Sequence, residues 1–198
     1  MITVVDYKAG NLASVMKALR AAGADADATD DPDVVRHAKK IVLPGVGHFQ
    51  ATAFLEEHGL RQAIEERIVH GAPFLGICVG LQWLFRGSTE AQGSRGLAVF
   101  DATCDRFEPG KKVPHVGWNS LSVREDSRLM NAVETGSFVY FTHSYRAPVI
   151  HGTVAVTEYG EAFTAAAERG NVMGVQFHPE KSGPVGLRIL RNFVELAC

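Results

Sequence analysis

Short apolar runs alternate with amphipathic stretches along the first 85 residues of the chain. The runs predict strands at 2–5, 40–43 and 73–77, and they leave 24–28 as a poor strand candidate. The amphipathic stretches predict helices at 11–22, 49–69 and 81–85, with a break near His58 and Gly59 in the second. Such alternation indicates a mostly parallel sheet with helices on both faces.

From about residue 97 the pattern changes to short β-branched or aromatic runs separated by Gly, Pro, Asn and Asp. These runs predict further strands, which we expect to add antiparallel to one end of the sheet, at 97–107, 118–123, 138–141, 153–157, 162–167 and 171–177. Residues 182–196 predict a closing helix, with Ser182 as its N-cap and Pro184 in its first turn. Because no repeat or linker interrupts these elements, we expect residues 1–198 to form one domain.

Composition and charge narrow the range of functions. Hydrophobic residues make up 46% and charged residues 21%, as in a globular protein, and a net charge of -2 gives no electrostatic case for nucleic acid or an anionic membrane as partner. The chain begins without a basic leader, and no apolar run approaches the roughly 20 residues that cross a bilayer. The three cysteines form no C-x-x-C pair, which argues against a disulfide framework and a structural zinc site. We therefore expect a reduced, cytoplasmic protein without metal or cofactor.

A candidate nucleophile lies in the segment Gly76-Ile77-Cys78-Val79-Gly80. The order of strand, G-x-C-x-G and helix is the cysteine version of the nucleophile elbow, a sharp turn whose residues two positions either side must be small. At the start of a helix, amide dipoles favour the reactive thiolate, and we expect the Val79 amide to face a developing oxyanion. The alternative is a small buried cysteine after a core strand, but the paired glycines favour the elbow.

His178 is the candidate base, because it follows the apolar run 172–177 and precedes Pro179 and Glu180. Proline disfavours a helical conformation for the residue before it, and residues i and i+2 of an extended chain face the same side. Glu180 can therefore reach the imidazole. Alone, these residues fit a strand-end histidine beside a solvated glutamate equally well. Together with Cys78 at the same edge of the sheet, they favour a triad.

Residues 44–47, Pro-Gly-Val-Gly, follow the predicted strand 40–43. Backbone flanked by glycine can turn an amide toward a reacting carbonyl, although P-G-x-G alone is usually only a turn. A phosphate-binding loop is the alternative, but the chain has no G-x-x-x-x-G-K-[ST] motif. Among the other histidines, His115 and His143 lie within distinctive motifs. Four are expected at the surface: His37, His58, His70 and His151.

Together these segments resemble the triad-type, class I glutamine amidotransferases, over essentially the whole chain. The resemblance implies a flavodoxin-like α/β domain with a mostly parallel sheet and added antiparallel strands. Further motifs are similar to the amidotransferase subunits of imidazole glycerol phosphate synthases, a family within this class. They are DYKAGNL at 6–12, LPGVG at 43–47, PHVGWN at 114–119, FTHSYR at 141–146 and HPEKS at 178–182. Lys8 departs from this family, which more often has glycine there.

The resemblance implies that the protein hydrolyses glutamine to glutamate and ammonia. The catalytic residues would be Cys78, His178 and Glu180, and the oxyanion would be bound by amides at Gly45, Val46 and Val79. Glutamine would be bound by Gln82, Glu90, Ser144 and Tyr145. The partner would be contacted by Asn11, Trp118, Asn119 and Lys181. That partner is implied to be a (βα)8-barrel cyclase, which in a heterodimer uses channelled ammonia to make imidazole glycerol phosphate and aminoimidazole carboxamide ribotide for histidine biosynthesis.

Several alternatives stay open at the level of the sequence. The chain fits a related class I amidotransferase of another pathway, such as pyridoxal phosphate synthesis or surface sugar amidation. It also fits a free-standing cysteine hydrolase, or a binding module without activity. For Glu90 the alternative is an exposed loop glutamate, and for Trp118 it is a core aromatic residue.

Overall fold

The structure, a computed structural model, describes residues 1–124 and 126–197. The strands are β1 (Ile2–Val5), β2 (Ala26–Thr29), β3 (Ile41–Leu43), β4 (Phe74–Ile77), β5 (Asp105–Arg106), β6 (His115–Ser120), β7 (Ser122–Val123), β8 (Phe138–His143), β9 (Tyr145–Arg146), β10 (Thr153–Glu158), β11 (Ala162–Arg169) and β12 (Val172–Val175). The helices are α1 (Leu12–Ala21), α2 (Pro32–Arg36), α3 (Ala53–Glu57), α4 (Leu60–Val69), α5 (Val79–Gln82) and α6 (Gly183–Glu195). Two 3-10 turns lie at Phe49–Thr52 and Pro179–Lys181.

The central sheet of the described residues has eight strands in the order β2-β1-β3-β4-β12-β11-β10-β7. The first five are parallel to one another, and the last three pair antiparallel at one end. Antiparallel strands at one end were predicted from the change of pattern near residue 97, and β11, β10 and β7 confirm them. The prediction is wrong for 171–177, because β12 is parallel to β4, and for 118–120 and 138–141, which lie outside this sheet. The pairs β5–β9 and β6–β8 form two small separate sheets. In the described part of the chain, no helix has the length and apolar character to cross a membrane.

Three other predicted elements differ from the structure. The predicted helix 81–85 is confirmed only at Leu81 and Gln82, because α5 begins at Val79 and ends at Gln82. The predicted strand 97–107 is also wrong except at 105–106, because 97–100 bonds to the turn after α5, with the Leu97 amide donating to the Trp83 carbonyl. The poor candidate 24–28 does form a strand, β2, which pairs with β1. Its weak pattern reflects its place at the edge of the sheet, where Asp27 and Ala28 are exposed.

The closing helix α6 follows Ser182, as predicted, but Ser182 does not cap it with its side chain. Its hydroxyl donates to the His178 carbonyl at 2.6 Å and accepts from the Tyr140 amide at 3.0 Å. Ser182 therefore ties the segment after β12 to β8. The sequence pattern could not reveal this role, because an N-cap serine and a bridging serine occupy the same position.

The carboxyl ends of three neighbouring parallel strands meet at one edge of the sheet. Leu43 of β3 lies opposite Gly76 of β4, and Val175 of β12 lies opposite Ile77. The segments that follow these strands are therefore adjacent. In open α/β sheets this edge is where ligands bind.

Candidate active site

Cys78 lies in the tight turn between β4 and α5. Its backbone has φ 55° and ψ -105°, which is rare for a residue with a side chain. The flanking glycines allow this turn. A Cβ on Gly76 would lie 2.2 Å from the Gly80 carbonyl oxygen, and one on Gly80 would lie 2.1 Å from the Leu43 carbonyl oxygen. The small residues of the G-x-C-x-G pattern are therefore required by backbone contacts.

The His178 ring is held from behind by Glu180, as predicted. Nδ1 of His178 lies 2.8 Å from Oε1 of Glu180, and the two side chains are 1% and 2% exposed. The backbone of His178 is fixed as well, because its amide donates to the Tyr140 carbonyl at 2.9 Å. Among the described residues, Nε2 of the ring and Oε2 of the carboxylate have no hydrogen-bond partner.

Two opposing effects set the protonation of His178. Burial lowers its pKa, but interaction of the ring with Cys78 and with Glu180 outweighs burial and raises the pKa to about 10. A histidine with this pKa is an imidazolium at neutral pH. The arrangement thus places a proton donor beside the sulfur atom.

The surroundings of the sulfur include two residues that sequence reasoning missed. Nε2 of Gln176 lies 3.6 Å from the Cys78 sulfur, and the thiol lies 4.0 Å from the Thr142 carbonyl oxygen. Gln82 donates to Oε1 of Gln176 at 3.1 Å and so fixes the Gln176 amide. The available signal for Gln176 was a buried polar residue at the end of an apolar run.

A cavity of about 200 Å³ opens beside Cys78. It is smaller than the roughly 300–1,000 Å³ of sites for drug-sized ligands, and so suits a smaller molecule. Besides Cys78, the predicted site residues on its wall are Val79, Gln82, Glu90, Ser144 and Tyr145. The remaining wall residues are Gly47, Pro114, Thr142 and His143.

Glu90 is half-buried at this wall, so the alternative of an exposed loop glutamate is wrong. Its Oε2 accepts a hydrogen bond of 2.8 Å from the Phe49 amide. This bond ties Glu90 to the turn that begins just after residues 44–47. A carboxylate held here can attract a cationic group of a ligand.

The 44–47 segment packs tightly against the elbow. A Cβ on Gly45 would lie 2.5 Å from the Tyr7 hydroxyl and 2.7 Å from Cβ of Val79. Gly45 and Val46 do not line the cavity; of this segment, Gly47 lies on the wall.

Tyr7, another residue that sequence reasoning missed, is fully buried, and its hydroxyl has no hydrogen-bond partner among the described residues. Burial raises the pKa of Tyr7, and the charge of Cys78 raises it further.

Lys8 shows why its position more often carries glycine in the similar family. Its φ is 63°, in the left-handed region that glycine adopts without strain. Its Nζ lies 2.8 Å from Asp30 and 3.2 Å from Asp6. The backbone turn is therefore kept despite the side chain.

The predicted partner residues fall into two kinds. Trp118 is 56% exposed, so the alternative of a core aromatic residue is wrong. Lys181 is also exposed, with Nζ 5.6 Å from the centre of the Tyr140 ring. Asn11 and Asn119 have contacts within the chain. Asn11 accepts from the Ser14 amide at the start of α1, and Asn119 donates to the carbonyl of residue 158.

The four histidines expected at the surface are all exposed.

Comparisons with known proteins agree with this geometry. Residues 3–197 match the family profile described as glutamine amidotransferase class-I. The chain is 49% identical to imidazole glycerol phosphate synthase subunit HisH of Methanothermobacter thermautotrophicus, over 99% of this chain and 98% of that protein. It is 48% identical to the same subunit of Thermococcus kodakarensis, over 99% and 100%. A solved structure described as a glutamine amidotransferase superposes with a TM-score of 0.77 at 20% identity, over 98% and 97%. This likeness confirms the predicted flavodoxin-like fold.

Proposed function

The chain belongs to the class I glutamine amidotransferases and, within them, to the family of imidazole glycerol phosphate synthase subunit HisH, and we propose that it is the glutamine-hydrolysing subunit of such a synthase. One observation carries the chemistry: a cysteine on a nucleophile elbow lies beside a buried His178–Glu180 pair and a small cavity. Relatives with this name match over nearly their whole length, which favours this pathway over surface sugar amidation. A cytoplasmic location stays a prediction.

The proposed reaction begins when the Cys78 thiolate attacks the side-chain amide carbon of glutamine. The tetrahedral intermediate collapses to a thioester as His178 gives its proton to the departing ammonia. Neutral His178 then takes a proton from water, and the resulting hydroxide releases glutamate and regenerates the sulfur. Glu180 holds the ring by Nδ1 and stabilises the imidazolium through the cycle.

Substrate binding is assigned to the cavity wall. Glu90 would pair with the ammonium group of glutamine, and Gln82 would hold residues 144–145 in place, since its amide donates to the Tyr145 carbonyl at 2.9 Å. The oxyanion would be bound by the amide of Val79 and by the Gly45–Val46 backbone. In the described geometry that segment lies behind the wall, so we propose that glutamine binding shifts it forward.

A second protein must receive the ammonia, because ammonia released into bulk water becomes protonated and is lost as a nucleophile. We propose a (βα)8-barrel cyclase as this partner, docked on the outer face of the two-stranded sheet of β6 and β8, the β6–β8 pair. This face carries exposed apolar side chains at Val116, Trp118 and Phe138, each 56% exposed. Aromatic residues of this kind are frequent anchors of protein interfaces. Lys181 borders the face through its contact with Tyr140.

Replacement of Cys78 tests the proposal. With the cyclase and its nucleotide substrate, Cys78→Ala is expected to abolish synthesis from glutamine, while added ammonium salts still support synthesis at the wild-type rate. Cys104→Ala is the matched control, because Cys104 is equally buried but is not on the cavity wall. Loss of synthesis with both nitrogen sources would contradict the proposal, since it would mean that Cys78 serves the complex structurally.

A further inference from the structure

Two histidines outside the proposed triad form a continuous buried chain between the strands β6 and β8. Nδ1 of His115 lies 3.1 Å from Nε2 of His143, and Nδ1 of His143 lies 2.9 Å from the Tyr145 carbonyl oxygen. At the other end, Nδ2 of Asn119 lies 3.4 Å from Nε2 of His115. The histidines are 4% and 6% exposed. The chain therefore runs from the β6 strand to the wall of the cavity.

The hydrogen bonds of this chain admit one direction only. A carbonyl oxygen accepts, so His143 must donate from Nδ1 to Tyr145 and accept at Nε2 when it is neutral. His115 then donates from Nδ1 and accepts at Nε2 from the Asn119 amide. Burial lowers the pKa of His115 to about 4 and that of His143 to about 3, so both rings are neutral at physiological pH. Each ring is thus locked in one tautomer.

The rings are also fixed by packing. His115 stacks between Tyr159, at 4.0 Å between ring centres, and Phe141, at 5.0 Å. His143 packs against Phe107 at 5.2 Å and Phe163 at 5.1 Å. A ring held on its faces and at both nitrogens has no freedom to turn. The carbonyl at the end of the chain is positioned accordingly.

The chain ends on the part of the cavity wall proposed to bind glutamine. The Tyr145 carbonyl accepts from both His143 and Gln82, at 2.9 Å each. Both lone pairs of this oxygen are therefore used, and the peptide between residues 145 and 146, to which this carbonyl belongs, is held in one orientation. The neighbouring Thr142 carbonyl faces the Cys78 thiol at 4.0 Å.

We infer that His115 and His143 are positioning residues for glutamine binding, which hold Tyr145 of the cavity wall in its binding orientation through a directed hydrogen-bond chain that starts at Asn119 and ends at the Tyr145 carbonyl. The inference rests on the proposed function, because it assigns these residues to the glutamine site. Neither histidine touches the reacting atoms. His143 acts through the Tyr145 carbonyl, and His115 acts through His143.

The decisive variants are His143→Asn and His143→Phe. The Asn side chain can place its amide nitrogen near the position of Nδ1 and so keep the donor to Tyr145, but it loses the packed ring. Phe keeps the ring but loses the donor. A positioning role predicts that the KM for glutamine rises about tenfold in His143→Phe, stays within about threefold of wild type in His143→Asn, and that kcat changes little in both.

A purely structural role predicts the opposite order, because the loss of the ring would damage the core more than the loss of one hydrogen bond. His143→Asn would then be the more impaired variant in both melting temperature and KM, and that result would overturn the inference.

His115→Phe, which is one step further from the wall, is expected to raise KM about threefold, following the loss of one indirect contact. Asn192→Ala is the control. It removes two hydrogen bonds to the carbonyls of residues 129 and 131, none of which lines the cavity beside Cys78, and it should lower stability without altering KM.

Glutamine hydrolysis is measured with the cyclase bound, and melting temperature is measured on the same samples. Absence of hydrolysis by the wild-type complex would contradict the proposed function itself. Wild-type hydrolysis with an unchanged KM in His143→Phe would contradict only the positioning role. The two failures are thereby distinguished.

Discussion

The elbow after β4 and the β6–β8 pair meet at the same cavity, but different kinds of contact hold their residues in place. The elbow is fixed by direct backbone contact, since Gly76 and Gly80 leave no room for even one added carbon atom. The β6–β8 pair is fixed by polar side chains on its inner face, where His115 bonds to His143. On its outer face it exposes apolar side chains such as Trp118. The first region positions the proposed nucleophile, and we propose that the second positions glutamine and faces the partner.

The difference shows which part of the site can respond to binding. Backbone atoms in contact cannot shift without displacing a whole strand, because interiors are close-packed. Hydrogen bonds contribute only about 0.5–1.5 kcal/mol each and can be exchanged. The elbow therefore keeps a fixed geometry for covalent chemistry. On the β6–β8 side the histidine rings are fixed by packing, so we expect a response to binding only where hydrogen bonds such as those to the Tyr145 carbonyl are exchanged.

The largest expected effect comes from Gly76→Ala. The added carbon would lie 2.2 Å from the Gly80 carbonyl oxygen and 2.8 Å from the Leu81 nitrogen, so β4 and α5 would have to separate. We expect a loss of more than about 4 kcal/mol in the free energy of unfolding, or no folded protein. Urea denaturation followed by circular dichroism measures this.

Gly93→Ala is the control for that substitution, because a Cβ on Gly93 meets nothing within 4 Å. It should change the free energy of unfolding by less than about 0.5 kcal/mol. If Gly76→Ala were as stable as this control, the contact between β4 and α5 would not fix the elbow.

The next effect is on catalysis, in Glu180→Gln. The substitution keeps the size of the side chain but removes the charge that stabilises the imidazolium of His178. We expect kcat for glutamine to fall about 100-fold or more, by analogy with acid-to-amide changes in other triads. A kcat within threefold of wild type would show that Glu180 does not take part.

The same variant has a signature in the pH dependence of stability. The folded-state pKa of His178, about 10, lies above its ordinary value of 6.5, so this group stabilises the fold fully below pH 6.5 and the stabilisation is lost as the pH rises toward 10. Because Glu180 is one of the causes of the raised pKa, Glu180→Gln should lose less stability than wild type across this range. Denaturation curves from pH 6 to 10 test this; parallel curves would contradict it.

An intermediate effect, on the affinity for the cyclase, is expected from a substitution on the outer face of the β6–β8 pair. Trp118→Ala should weaken binding of the cyclase about 30-fold, as for a central aromatic anchor worth about 2 kcal/mol. The free protein should keep its melting temperature, because Trp118 is 56% exposed. Titration calorimetry and thermal denaturation separate the two effects. Val69→Ala, which truncates an 82% exposed residue at the end of α4, should leave binding unchanged.

The sequence predicted the elbow well and the β6–β8 pair only in part, because the two depend on contacts of different range along the chain. The elbow depends on local backbone geometry, so G-x-C-x-G and the apolar run before it suffice to predict it. The hydrogen bonds from Gln176 to Cys78 and from His115 to His143 connect residues far apart in the chain, and no local pattern specifies such contacts. The wrong strand at 97–107 has the same origin, since its backbone partners belong to the turn after α5.

The smallest effect is expected from Tyr7→Phe, at the boundary between the elbow and the 44–47 segment. The Tyr7 hydroxyl is buried without a hydrogen-bond partner in the described part of the chain, so its removal costs no bond and relieves an unpaired polar group. We expect the free energy of unfolding to stay within about 1 kcal/mol of wild type or to rise slightly.

By contrast, Gly45→Ala should be strongly destabilising, because its Cβ would meet both the Tyr7 hydroxyl at 2.5 Å and Val79 at 2.7 Å. Adding Tyr7→Phe to Gly45→Ala should restore only part of the loss, since the contact with Val79 remains. If Tyr7→Phe alone lowered kcat tenfold while stability stayed unchanged, the hydroxyl would have a partner during turnover, as expected if the 44–47 segment moves forward when glutamine binds.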